Sequence, residues 1–529
     1  MLVRIPRNLI PRLNRRVYLQ FSSKLSTTND ADDLTHEKRK EIITTNTDHY
    51  YPPISTVRQK LSPSEGKRIK TFRDLFDNVV QFQGENNKSV DSYLLEGRVS
   101  NIRKAGKAMY FIDLIQDDYK VQIMAMNKLM GLTSDEFNQI HGFLKVGDYV
   151  GVCGQASRTN LGELTLKLNR PIELLTPCLD RLPNKLTDKG FINNNRVLNY
   201  LVNPESKRPI IVKSKVIQAI RTFLLNRDFL EVQTPILSGQ GTGANATPFI
   251  TNYKSVPIHL RVAPELWLKK FVIGGFDKVF EIGSNFRNEG IDMTHNPEFT
   301  SCEFYQAFTS LDELMKMTED LYRFVFSELG VENKLPAGEF PKYEFLPTLE
   351  KRTGKPLADL SLETLISYHE DLGIDVPKDP NPVKLLNNLC EIYLESLCLE
   401  HPKNTPVFIY NQPEVMSPLA KSTVDSKGNR ISLRFELFIN QKEMANAYEE
   451  ENDPAKQLEK FTLQQQMKTE YNDQEMLIPD NNYVDVMKWG LPPTGGWGCG
   501  VDRLAMLIAE VERIEEVLPF GNLQSVLRN

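Results

Sequence analysis

Three stretches of this chain hold residue types at spacings that suit work on a nucleotide. In FEIGSNFRNEGIDMTHNPEFTSCEF, Phe280 to Phe304, Arg287 and Glu289 stand beside aromatic and polar side chains, a combination suited to a bound nucleotide. An Arg-x-Glu pair alone is usually an exposed ion pair of little energetic weight; the full run RNEG, HNPEF and the following glutamate sets this one apart. In GGWGCGVDRLAML, Gly495 to Leu507, the glycines Gly496, Gly498 and Gly500 alternate. On a strand that alternation clears one face, so that a planar base can lie close to backbone. Arg503 then opens a helical pattern through Leu504, Leu507, Ile508 and Val511. Glu436 and Glu443 flank a reversal expected at Asn440 and Gln441, and two strands joined there could set the carboxylates side by side. Such a pair fits magnesium shared with phosphate oxygens, and two solvated strand glutamates would read the same way.

These groups need a frame. Val212, Val216, Ile220, Phe223 and Leu224 form a helical stripe, followed by the extended FLEVQTPIL. A helix opens at Ser310, with Glu313 completing a capping box, and continues through Leu314, Leu321 and Val325. From Leu335 to about Asn404 the patterns weaken, and an insertion is expected. Upstream, YLLEGRVSNI, AMYFIDLI, YKVQIMAM, DYVGVCGQASR and ELTLKLNR alternate as five short strands between turn residues, which suits an OB-like barrel. Arg103, Lys104 and Lys107 precede Tyr110 and Phe111, so phosphates could be held while a single-stranded base stacks. Aromatic residues of a barrel are more often core, and both readings stand.

With 529 residues the chain exceeds what one core usually serves, so two or three domains are expected. The net charge of -5 leaves any nucleic acid to be met by local basic patches and not by a global field. No apolar run is long enough for a membrane span. The six cysteines include no CxxC pair, which favours free thiols in a reducing compartment. Arg4, Arg7, Arg12, Arg15, Arg16 and Lys24 precede the first acidic residue, Asp30, and this is the composition of a mitochondrial transit peptide, with cleavage plausible after Tyr18. A basic arm that stays on and touches RNA is the alternative. Residues from Asp30 to about Arg68 read as a polar linker with room for a short helix.

The arginine and glycine stretches resemble motifs 2 and 3 of the class II aminoacyl-tRNA synthetases, and the residues around them resemble the lysyl-tRNA synthetase branch of subclass IIb. The resemblance implies an α+β chain: transit peptide over 1–29, linker over 30–68, OB-fold anticodon-binding domain over 69–182, and a catalytic domain over 183–529, an antiparallel sheet flanked by helices with an insertion near 335–404. It implies a homodimer, formed through the motif 1 helix and strand, that works in the mitochondrial matrix on lysine, ATP with magnesium, and tRNA(Lys). By the family pattern Arg287 bridges the substrate carboxylate and the α-phosphate, Glu289 reads the adenine amino group, and His295 contacts phosphate. Adenine lies between Phe299 and Arg503, and Glu436 and Glu443 hold magnesium. Glu303, Tyr305 and Glu450 match the group around the ε-ammonium, Glu265 and Gly243 the α-amino side, and Asn446 with Arg287 the carboxylate; Tyr448 and Gly498 complete the lysine set. Phe111 and Gln122 match anticodon contacts.

Thr247 departs from the pattern, standing where the family often has arginine, and Asn252 and Tyr253 replace a usual pair of histidines. The C-terminal LPFGNLQSVLRN also differs. An enzyme for aspartate or asparagine is the runner-up, disfavoured because Glu265 stands where glutamine is then expected. An RNA-binding or import factor that no longer charges tRNA is a further alternative, opposed by the intact Arg287, Glu436, Glu443 and Arg503.

Overall fold

Period-two alternation builds the first part of the chain into a closed barrel. Strands β1 (Lys88–Lys104), β2 (Met109–Gln116), β3 (Tyr119–Met126), β4 (Tyr149–Arg158), β5 (Leu164–Leu168) and β6 (Glu173–Thr176) run in the order β1-β2-β3-β5-β4-β6, and a pairing of β1 with β4 closes the ring. Ile112, Leu114, Val121, Ile123, Val150, Val152 and Leu166 fill its interior. β6 is a strand beyond the five expected.

The computed structural model describes residues 35–61, 66–106, 108–239, 246–471 and 480–528, which fall into two compact units meeting between Asn184 and Lys185. The expected transit peptide over 1–29, Lys107 and Gly243 lie outside the described residues.

The stretch over 30–68, expected as a linker with at most a short helix, is more ordered than that: residues 36–61 are largely helical and packed on the barrel. Helices α1 (His36–Thr45) and α2 (Ile54–Leu61) carry few apolar residues, which is why their composition reads as a linker. Those few are well placed. Val57 and Leu61 pack on Leu94, Cys153 and Leu175, and Tyr50, in the helical turn Thr47–Tyr50 between the two helices, stacks on Phe143 with ring centroids 5.2 Å apart. Arg39 is buried, its guanidinium 2.7 Å from Asp148 and donating to the carbonyls of Phe143 and Cys178. Docking on a preformed surface, and not intrinsic propensity, stabilises such short helices. Helix α3 (Ile69–Phe76) adds Ile69 and Phe72 to the barrel core, and α4 (Ser134–Phe143), opened by a Thr133–Glu136 capping box, adds Phe137.

The second unit is organised on an eight-stranded sheet. Its elements are α5 (Arg208–Leu225), β7 (Leu230–Glu231), α6 (Glu265–Ile273), β8 (Lys278–Phe286), β9 (Glu298–Ala307), α7 (Leu311–Glu328), β10 (Lys342–Glu344), β11 (Val407–Tyr410), β12 (Arg434–Ile439), β13 (Lys442–Glu449), β14 (Thr494–Gly500) and α8 (Val501–Ala509). The strand order is β10-β11-β12-β13-β14-β9-β8-β7, antiparallel except for the outermost pair at each edge. One face is the core. Register aligns Phe280, Phe304, Trp497, Ala447 and Phe435 in a single row across β8, β9, β14, β13 and β12. Against that face pack Val216, Ile220 and Phe223 of α5, Leu314, Leu321 and Val325 of α7, and Leu504 and Ile508 of α8. The capping box expected at Ser310 and Glu313 starts α7.

The insertion expected near 335–404 is narrower in the structure, because Lys342–Glu344 is the edge strand β10 of the main sheet. Helices beyond it enclose their own cluster of Phe345, Leu349, Leu365, Leu385 and Leu389, which closes on the sheet edge through Val407, Ile409 and Phe438. Among the described residues no helix is long and apolar enough to cross a membrane.

Candidate active site

Alternation that sends the Phe304 row into the core sends the neighbouring residues to the opposite face. There Glu281, Glu303, Gly498, Asn446 and Glu436 form one row across β8, β9, β14, β13 and β12, and Tyr305, Gly496, Tyr448 and Arg434 form the next. The structure thus brings together Glu303, Tyr305, Asn446, Tyr448, Glu436 and Gly498, which lie in three separate parts of the sequence. β14 supplies the floor between acidic side chains. A Cβ at Gly496 would stand 2.0 Å from Glu450 Oε1 and 2.6 Å from Tyr305 Cε1, so any side chain there displaces those two. At Gly498 a Cβ would meet nothing nearer than Glu303 Cγ at 3.4 Å, and the glycine leaves open room on the face.

The reversal between β12 and β13 falls on Asn440 and Gln441 as expected, with φ of 51° and 61°, the left-handed pair that a tight hairpin demands. Simple alternation from Asn446 would then turn Glu443 away from Glu436. A bulge restores it: Leu437 faces Ala445 but Phe438 faces Glu443, and Met444 joins Ala445 in the core. Burial pushes the Glu436 carboxyl up, the Arg434 guanidinium paired with it pulls it down, and Glu443 pushes it up again. No cluster of three or more acidic, histidine or cysteine ligands exists among the described residues. Two carboxylates on one face fit magnesium whose other ligands are phosphate oxygens and water.

Arg503, at the start of α8, donates from Nη1 to the Glu443 carbonyl at 2.8 Å and from Nη2 to His295 Nε2 at 2.6 Å. His295 Nδ1 lies 2.7 Å from Asp292 Oδ2, so the proton on Nδ1 points to Asp292 and Nε2 is the acceptor for Arg503. Burial pushes the Asp292 carboxyl up, but the Thr294 amide and His295 outweigh it and hold it down to about 2. Asp292 was not singled out from sequence, although the Asx-turn it makes, accepting from the Thr294 and His295 amides, is legible in DMTH. The cation over the Phe299 ring is Arg287, 5.1 Å from its centroid. Arg287 Nε is buried without a partner among the described residues. Glu289 Oε1 accepts from the Thr247 amide at 3.2 Å, and the Asn288 amide donates to the Thr247 carbonyl. Both bonds use backbone, so the unusual side chain at Thr247 leaves them intact.

The remaining acids meet at one end of the sheet face. Glu265 comes from the first turn of α6, Glu303 from β9 and Glu450 from just beyond β13. Tyr448 Oη donates to Glu265 Oε1 at 2.5 Å, and Tyr305 Oη lies 3.4 Å from Glu303 Oε2. Burial, and then the nearby Glu265, push the Glu303 carboxyl up to about 8 against the pull of Arg287 and Arg261. Glu450 Oε1 and Asn446 Oδ1 are buried without partners among the described residues. Behind them Arg261 and Glu281 form a buried ion pair at 2.6 Å. Lys269, whose Nζ touches both Glu265 and Glu450, was missed. Its only signal is the i,i+4 spacing from Glu265, which usually marks a surface pair.

In the barrel the two aromatics part company. Tyr110 turns inward and stacks on His141 at 5.4 Å, so it is core. Phe111 lies on the outer face with the Arg103 guanidinium 5.8 Å from its ring. Gln122 shares that face but is buried, donating to Glu163 Oε2 at 2.9 Å and accepting from Thr165 Oγ1 at 3.0 Å.

The family described as class II tRNA synthetases for D, K and N matches residues 188–524, and an OB-fold nucleic acid binding domain matches residues 93–175. The mitochondrial lysine–tRNA ligase of Schizosaccharomyces pombe is 41% identical over 453 residues, 82% of this chain and 84% of its own length. That of Saccharomyces cerevisiae is 38% identical, covering 94% of each chain. The lysine–tRNA ligase of Aquifex aeolicus is 36% identical over 89% of this chain and 78% of its own.

Proposed function

The chain belongs to the class II aminoacyl-tRNA synthetases as a lysine–tRNA ligase, and from that membership we propose how its residues share the work. The family reaction activates lysine with ATP and passes the lysyl group to tRNA. Glu303 and Glu450 take the ε-ammonium of lysine, Glu265 with Gly243 the α-ammonium, and Tyr305 and Tyr448 wall the pocket. Arg287 and Asn446 hold the carboxylate next to the α-phosphate. That carboxylate is already an anion, so attack on phosphorus needs no general base, and drawing two anions together is the main catalytic demand. Arg287 meets it with a planar fork suited to both groups. Glu289 reads the adenine amino group, Phe299 offers its ring, and Arg503, held by His295 and Glu443, covers the base from the other side. Glu436 and Glu443 are the residues that would hold magnesium, which neutralises the departing pyrophosphate.

The observation that carries this reading is the single register row joining Glu303, Asn446 and Glu436 on one sheet face. The row aligns the residues proposed for an ammonium, for the carboxylate and for magnesium on β9, β13 and β12, with Gly498 of β14 between the first two. The test is ATP–pyrophosphate exchange with each amino acid in turn: exchange with lysine alone is expected, and exchange with aspartate or asparagine overturns the assignment of the acidic pocket.

Three finer points extend the proposal. Phe111, beside Arg103, stacks an anticodon base, with Gln122 as its neighbour. A second copy of the chain covers the apolar residues exposed on α5 and the strands after it, Ile211, Leu230, Leu237, Ile250 and Val256 among them, giving a homodimer. The arginine-rich N-terminus directs the protein to the mitochondrial matrix, in keeping with the names of the two yeast relatives. A reporter fused to residues 1–29 should be imported by mitochondria, and a cytosolic reporter would remove that point alone.

A further inference from the structure

An ammonium of the protein's own sits among the carboxylates assigned above to the substrate. Lys269 lies one turn along α6 from Glu265, its side chain is wholly excluded from solvent, and its Nζ is 2.7 Å from Glu265 Oε1 and 2.7 Å from Glu450 Oε2. Taking an ammonium out of water is costly, and nothing in the packing of α6 calls for one: Leu266, Leu268 and Val272 around it are apolar core, where a methionine of similar length would serve. Burial works against the charged lysine, but Glu265 and Glu450 outweigh it and keep it protonated. The other titratable groups turned toward it are Glu303 and Tyr305 on β9, Tyr448 on β13, and Tyr483 on the helix Asn481–Met487. Burial raises all three tyrosines, so they stay neutral.

We propose that Lys269 is a positioning residue that sets the charge of the amino-acid pocket to match a diamino acid. It grips one oxygen of Glu450 and leaves the other, Oε1, free over the Gly496 position. When substrate binds and Glu303 gives up its proton, three carboxylates against one internal ammonium leave two negative charges, which the two ammonium groups of the substrate neutralise, while the substrate carboxylate is met by Arg287. An amino acid with a neutral side chain leaves one buried charge uncompensated, and its rejection follows from that imbalance. Without Lys269 the pocket holds three carboxylates for two cations, one of them keeps its proton even with substrate bound, and substrate must compete with that proton over a wider pH range than in the wild type. This inference rests on the assignment of Glu265, Glu303 and Glu450 to lysine.

The test uses the full chain, with Lys269→Met alone and combined with Glu265→Gln, followed by lysine-dependent ATP–pyrophosphate exchange from about pH 6.5 to about pH 9. Lys269→Met should raise the KM for lysine about tenfold or more with kcat little changed, and make KM fall more steeply with rising pH than in the wild type. The combined variant removes one charge of each sign, so its KM should lie below that of the single variant and its pH profile should return toward the wild type. A wild-type KM and pH profile in Lys269→Met, or a combined variant no better than the single one, overturns the proposal. If Lys269→Met fails to fold, the combined variant decides by its pH profile: a folded protein whose lysine KM changes with pH as the wild type's does supports the role, and one whose KM falls more steeply with rising pH overturns it. Glu303→Gln separates the premise, because an unchanged lysine KM there removes the pocket assignment itself.

Discussion

Glu303 is the residue on which substrate binding and folding make opposite demands. Its folded-state carboxyl is pushed up to about 8 from an ordinary 4.5, by burial first and by Glu265 next. Between those values the folded chain keeps a proton that the unfolded chain has released, so this group's stabilisation is full below 4.5 and is lost as pH rises through about 8. Glu303→Gln cannot ionise and escapes that loss. Its melting temperature should therefore exceed the wild type's near pH 8 and approach it near pH 5, by a margin on the order of 1 kcal/mol in this half-open site. The same substitution should raise the KM for lysine about thirtyfold or more, because a charged partner of the substrate ammonium is gone. In the wild type, KM for lysine should fall as pH rises toward 8. Equal melting temperatures at both pH values would show that Glu303 is ionised throughout. Its identity as a candidate was legible from the flanking motif; its protonation was not, since that depends on Glu265, Arg261 and Arg287 arriving from other segments.

At the scale of elements, two strand features decide the site's shape. β14 is tightly enclosed at Gly496, where Glu450 and Tyr305 close over it, and at Gly495, where Leu314 does, and is open at Gly498. Gly496→Ala should therefore lower stability by about 1–3 kcal/mol through overpacking and raise the KM for lysine, whereas Gly498→Ala should melt near the wild type and be damaged chiefly in ligand binding. Thermal melts of the two variants check this, and a Gly496→Ala protein with wild-type melting and KM would contradict the close contact to Glu450. The alternating glycines were visible in sequence, yet the difference between them was not, because it is made by side chains of β9 and of the segment after β13. The bulge at Met444 is similar. The turn at Asn440 and Gln441 could be expected from the hairpin, but a one-residue slip in pairing leaves no local mark. Without it Glu443 would face the core. Helices α1 and α2 and the turn between them show the converse, where a composition typical of linkers is overridden by docking through Arg39, Tyr50, Val57 and Leu61.

For the whole molecule, the division of labour predicts that damage in one unit leaves the other's step intact. Phe111→Ala should spare lysine-dependent pyrophosphate exchange and weaken charging of tRNA(Lys) by about tenfold or more, as loss of a stacked base would. Arg287→Ala should abolish exchange and leave the fold intact. Comparable loss of exchange and charging in Phe111→Ala would mean that the barrel does more than hold tRNA. The order of the two units and their separate characters were readable early, because a change from alternation to helical stripes is a property of long runs and not of single residues.

By itself the sequence held the residue types on which the proposed chemistry draws: an arginine suited to joining two anions, glycines that could admit a base, acids that could receive ammonium groups and a metal, and a barrel pattern upstream. Those are properties of residue type and short spacing, written within segments. Only the tertiary structure decided which acid is already matched by Lys269, which way Glu443 and Tyr110 face, and how His295 is oriented by Asp292. The physical reason is that such outcomes depend on register and contact between distant segments. Lys269 and Glu450 are 181 residues apart in the chain and 2.7 Å apart in the fold.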